Sequence, residues 1–136
     1  MKRVGQACET RAFIDGLFAQ DPNAMIAVCG DFNGDTGDTP VQAIRGDVSD
    51  TENPVHVPFL MIPCEQSVPE PARYSLFHHG KGYMFDHVVV SRSLLRWYRG
   101  TEIHNELLHD ESAAFAFDEK FPESDHAPIV AEFELP

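Results

Sequence analysis

No apolar run in the chain approaches the about 20 residues needed to cross a bilayer. The opening Met1-Lys2-Arg3-Val4-Gly5-Gln6 leads into a mixed polar segment rather than a signal-peptide core. A transmembrane segment is therefore not expected, and the compartment stays open, with the cytoplasm as the default. Cysteine is scarce as well. Cys8, Cys29 and Cys64 are odd in number and far apart, with no Cys-x-x-Cys pair and no histidine at zinc-ligand spacing. That argues against a disulfide framework or a zinc site, and three ordinary buried thiols are expected. Positive charge is the third shortage. With 10 Lys and Arg against 22 Asp and Glu, the net charge of -12 argues against a broad basic footprint for nucleic acid. It does not exclude a phosphate substrate, because a bound cation inverts the local field. Repeats and low-complexity tracts are absent.

What is present suits a single domain over residues 1–136, long enough to bury a core. Arg3 to Ala19 has helical period, with Val4, Ala7, Ile14, Leu17 and Phe18 near one face and Arg11 inside the stripe. Asp21-Pro22-Asn23 stops it. Met25 to Cys29 reads as a strand buried on both faces, and Asp31 to Asp38 as the loop at its end. Thr39-Pro40-Val41-Gln42 has the form of a helix start, with Thr39 as cap and Gly46 as stop. Five prolines between Asp47 and Ala72 (Pro54, Pro58, Pro63, Pro69, Pro71) leave only brief regular structure there. Arg73 to His79 and Tyr83 to Ser91 are β-prone runs that Gly80-Lys81-Gly82 would join as a hairpin. Ser91 or Ser93 would cap a short helix through Leu94 and Leu95, and Trp97 to His104 would form another strand. Asn105 to Glu123 looks loop-like, with Phe115, Phe117 and Phe121 holding it to the core. Ala127 to Leu135 reads as the closing strand.

Three polar clusters each sit inside or at the end of an apolar strand: Gly30-Asp31-Phe32-Asn33, Asp86 within Phe85 to Val90, and Ser124-Asp125-His126. Carboxylates supply the oxygen ligands that hard divalent cations need. A histidine held by a carboxylate is oriented and made more basic. Each cluster alone has a plain reading. Gly-Asp after a strand is usually a turn, Asp125-His126 suits a loop, and Asp86 in an apolar strand would be satisfied by a partner such as Arg73 or Arg92.

Taken in order, Ala27-Val28-Cys29-Gly30-Asp31-Phe32-Asn33, Phe85-Asp86-His87-Val88-Val89-Val90-Ser91 and Ser124-Asp125-His126-Ala127-Pro128-Ile129-Val130 resemble the last three motifs of the endonuclease/exonuclease/phosphatase family. The resemblance implies an α/β fold: a mostly antiparallel sheet with flanking helices, one half of a four-layer α/β/β/α DNase I-like sandwich. It implies hydrolysis of a phosphate ester or phosphodiester by an activated water with Mg²⁺ or Mn²⁺. The substrate would be nucleic acid, a phospholipid head group or a small phosphate. By resemblance, Asp31 activates the water and touches the metal, Asn33 bonds the phosphoryl oxygens, His126 acts on the scissile phosphate, Asp86 holds its imidazole, and Asp125 binds the metal. The family's first-half motifs, an Asn, a metal-binding Glu and a strand-end His, have no match, and Glu65-Gln66 lies in the wrong context. A C-terminal half is thus expected, with the inner sheet face covered by a missing N-terminal half or a homodimer mate.

Two rival readings stand beside this one. Asp31, Asn33 and Asp35 occupy the first places of a calcium loop, but Thr36 stands where Gly is required and Gln42 where a bidentate Glu belongs. The phosphoesterase reading gives Asp35 no necessary role. A catalytically silent interaction module is the other alternative. His87, next to Asp86, should point to the opposite face of its strand and is left out of the site. Tyr74, Phe77, Trp97 and Tyr98 read as core rather than cleft.

Overall fold

The computed structural model describes residues 2–46, 52–116 and 124–136. Helix α1 (Lys2–Gln20) buries Ala7, Ile14 and Phe18, the predicted stripe. Arg11 turns inward from the same stripe. Its guanidinium donates to the carbonyls of Ile44, Arg45 and Phe59 at 2.8–3.1 Å. The first two donations satisfy orphan carbonyls at the end of α2 (Thr39–Arg45) and fix α1 across it. The cap of α2 is Asp38 rather than Thr39, which is already helical, and Pro40 sits in the first turn as expected.

Strand β1 (Ala27–Asp31) pairs antiparallel with β5 (Asp86–Val90), and β5 pairs with the short β2 (Ile62–Pro63) on its other side. The predicted strand is displaced two residues toward its C-terminus. Gly30-Asp31 look like turn residues, yet the ladder runs on to an Asp31↔Asp86 pair. Nor is β1 buried on both faces. Val28 packs with α1, Ile26 and Val89, whereas Ala27, Cys29 and Asp31 are exposed. Of the three cysteines only Cys64 is buried. Cys8 lies off the buried stripe of α1 and Cys29 on the open face of β1.

The predicted hairpin exists with a different turn. Strand β3 (Leu76–His78) pairs with β4 (Lys81–Tyr83) through His79-Gly80, both at positive φ (49° and 74°), as tight primed turns require. Lys81 and Gly82 are therefore strand residues. The second β-prone run divides at Met84-Phe85, because β5 turns away to pair with β1. Ser91, not Ser93, caps α3 (Arg92–Leu95), and its buried hydroxyl also bridges Ile26 N–H and the Ala24 carbonyl at 2.9 Å each.

Strands β6 (Tyr98–Ile103) and β7 (Ile129–Phe133) form a second antiparallel ribbon. Antiparallel partners directly opposite each other share a face. One face of the β1-β5 pair thus carries Val28 and Val89 toward α1, and the other carries Asp31, Asp86, Val88 and Val90. Val88 and Val90 pack against Ile129, Ala131, Phe133 and Tyr98. The β6–β7 ribbon thus covers part of the face expected to lie open. Asn105 to Glu123 is not all loop: α4 (Glu111–Ala116) follows an isolated bridge between Phe77 and Asp110. Phe117, Phe121 and the Phe115 side chain lie outside the described residues. The architecture is α/β, with antiparallel sheets and flanking helices. No described helix is long and apolar enough to cross a membrane.

Candidate functional site

The pairing of β1 with β5 sets Asp31 directly opposite Asp86 at the end of the ladder. The third member arrives from the far end of the chain. His126 forms a bridge with Leu76, and the next amide, Ala127 N–H, donates to the Ser75 carbonyl at 2.8 Å. As a result His126 Nδ1 lies 2.7 Å from Asp86 Oδ2. A carboxylate accepts, so Nδ1 carries the hydrogen and Nε2 is left for other work. Ligand atoms of Asp31, Asp86 and His126 lie within 4.8 Å of one another, with Asp31 exposed and the other two half-buried.

Burial, the largest influence on His126, disfavours its charged form. The hydrogen bond and charge of Asp86, with the charges of Asp31 and Asp125, outweigh it and raise His126 above the ordinary histidine value. Asp125 itself is exposed and outside the three-residue group, acting on it through its charge. Asn33 sits beyond the strand end in the left-handed conformation (φ 52°), which asparagine tolerates better than most residues. Its backbone N–H donates to Asp31 Oδ1 at 2.8 Å. Two hollows flank Asp31. One of about 760 Å³ runs between β1 and β7, lined by Cys29, Val88, Pro128 and Ile129. The other, about 290 Å³, lies under the N-terminal end of α1, with Arg3, Thr10 and Asn33 on its wall.

Two expectations are revised. The partner of Asp86 is His126, while Arg73 donates to the carbonyls of Val68 and Gln66. Asp35 does have a role, since its Oδ1 accepts Met84 N–H at 2.8 Å and so ties the loop to the head of β5. Among the described residues Asp31 groups with Asp86 and His126, not with Asp35 as a calcium loop would have it. His87 does face away from Asp86, into the core, as strand alternation requires.

No sequence pattern marks Ser75. It is fully buried, and its hydroxyl accepts from Phe85 and Asp86 N–H at 3.1 and 3.2 Å while its carbonyl takes Ala127 N–H. One serine thereby links the head of β5 to the segment before β7, the two stretches that bring Asp86 and His126 together.

A sequence profile described as the Endonuclease/Exonuclease/phosphatase family matches residues 1–127. No curated protein and no solved structure matches the chain.

Proposed function

The chain belongs to the endonuclease/exonuclease/phosphatase family, and from that premise we propose that it hydrolyses a phosphate ester or phosphodiester with an activated water. The observation that carries the reading is the Asp86–His126 hydrogen bond at 2.7 Å with the Asp31 carboxylate beside it. The exposed Asp31 carboxylate, with the Asp125 charge nearby, fits a hard divalent cation, Mg²⁺ or Mn²⁺, that keeps several of its waters. When bound, such a cation neutralises charge on the phosphoryl oxygens. The chain's own residues supply the rest. Asp31, held by Asn33 N–H, has its second oxygen free for the water or the cation. Asp86 fixes the imidazole and stabilises its charged form, leaving His126 Nε2 to exchange a proton at the scissile phosphate. The Asn33 side chain, at the rim of the smaller hollow, bonds the phosphoryl oxygens, and Asp125 adds negative charge for the cation.

The acidic balance favours small or lipid phosphates over long nucleic acids. The exposed face of β1 and the free edge of β7 would be covered by a second sheet, from an N-terminal half of the same fold or from a second copy. The deciding assay is hydrolysis of bis(p-nitrophenyl) phosphate with Mg²⁺ and with EDTA. Removing the proton-transfer group in His126→Ala should cost about 10²–10⁴ in kcat, and EDTA should abolish turnover. Equal rates for wild type and variant would favour the silent-module alternative.

A further inference from the structure

Behind the site, on the opposite face of β5, two ionisable residues are wholly buried: Glu65 and His87, each 0% exposed. His87 Nε2 lies 2.7 Å from the Gly34 carbonyl, and Nδ1 is hydrogen-bonded to Glu65 Oε1. A carbonyl oxygen only accepts, so Nε2 bears a hydrogen. A single further proton is then shared between Nδ1 and Glu65. The pair is uncharged overall whichever partner holds that proton, which is what makes its burial tolerable. It is still a costly way to fill a core, because Glu65 Oε2 has no partner among the described residues. Apolar residues of the same volume would be at least as stable.

The contacts of the pair explain its presence. They lead to the loop that carries Asp31 and Asn33. The loop is fastened at three successive residues: Gly34 by His87, Asp35 by Met84 N–H, and Thr36 by its hydroxyl to Glu65 Oε1 at 3.3 Å. Just before these ties Asn33 holds its left-handed backbone. That same backbone aims Asn33 N–H at Asp31. We infer that Glu65 and His87 are positioning residues, which hold Asn33 and the Asp31 carboxylate in their working geometry through the Gly34 carbonyl. This rests on the hydrolytic reading of the site for its catalytic consequence, but not for its structural one.

The test uses the full chain and two readouts. Glu65→Met/His87→Phe replaces the two side chains by apolar groups of similar size, which keeps the core filled but leaves the Gly34 carbonyl and the Thr36 hydroxyl without these partners. It should loosen the loop. Losing these two ties predicts about 10–100-fold faster amide exchange at Phe32 and Met84, with Val89 unchanged, and a kcat at least about tenfold lower at similar KM. In Glu65→Gln a neutral His87 can accept from the amide and still donate to Gly34, so exchange and kcat should return to near wild type. Thr36→Val, which leaves the pair intact, should move both readouts in the same direction by less, and it decides the matter if the double variant fails to fold. Unchanged exchange at Phe32 and Met84 in the variants would overturn the inference. A wild-type chain that lacks hydrolysis but shows the exchange changes would instead overturn the hydrolytic reading alone.

Discussion

Asp86 and His126 are coupled through one hydrogen bond of 2.7 Å, and that coupling has a defined pH signature. Folding raises the His126 value despite its partial burial, because Asp86 and the neighbouring carboxylates favour the imidazolium. The stability so contributed is fully present below the unfolded histidine value of about 6.5 and is lost as pH rises through the folded value. Asp86→Asn removes the chief raising partner. In EDTA, the NMR titration of His126 in that variant should therefore move to lower pH than in wild type. An unmoved midpoint would mean that the imidazole is not governed by Asp86. The members of this dyad were legible in the sequence because an acidic residue inside Phe85 to Val90 and a histidine just before a strand are anomalies of pattern. Ser75, Glu65 and His87 were not legible. Each is a single polar residue whose meaning comes from what the fold sets against it, and no local pattern marks the serine that takes two amides or the glutamate whose partner lies on β5.

At the scale of elements, the hairpin β3–β4 is more than a surface ribbon, since it carries Ser75 at its root and is clamped by Ser75 N–H to the Tyr83 carbonyl at 2.8 Å. The hairpin closes tightly around Gly82. A Cβ there would sit 2.9 Å from Tyr74 Cβ and 3.0 Å from its Cγ, atoms too near the backbone to swing aside. Gly82→Ala should destabilise the chain by about 1–3 kcal/mol, as overpacking does, and lower Tm in a thermal melt. A Tm equal to that of wild type would show that the hairpin adjusts freely. This strand glycine was misread as part of the turn because Gly80-Lys81-Gly82 offers two candidate turn glycines, and the actual turn uses a histidine in the left-handed region. The displacement of β1 has a similar origin. Gly30-Asp31 carries turn chemistry, but pairing with β5 continues through it and sets Asp31 opposite Asp86. The long amphipathic helix and the closing strand, by contrast, followed from periodicity alone, because one buried face decides both.

For the whole molecule the dominant fact is the net charge of -12, concentrated neither by a basic stripe nor offset by one. Proteins that bind nucleic acid by neutralising phosphates release condensed counterions and weaken steeply with salt. An acidic chain with a single cation-loaded site, as proposed above, has the opposite background. Its long-range field repels a polyanion, and added salt screens that repulsion over roughly 10 Å at 0.1 M. At fixed Mg²⁺, affinity for a single-stranded oligonucleotide should therefore hold or rise between about 50 and 200 mM NaCl, an interval over which a basic binder loses about 10³–10⁵. A small phosphodiester, which samples only the field around Asp31, Asp86 and His126, should change even less. Fluorescence anisotropy across the salt series measures the first, and KM for the small diester the second. A steep loss of oligonucleotide affinity with salt would reveal a cationic track that the charge balance of the chain does not predict, and would shift the substrate class from small phosphates to nucleic acid.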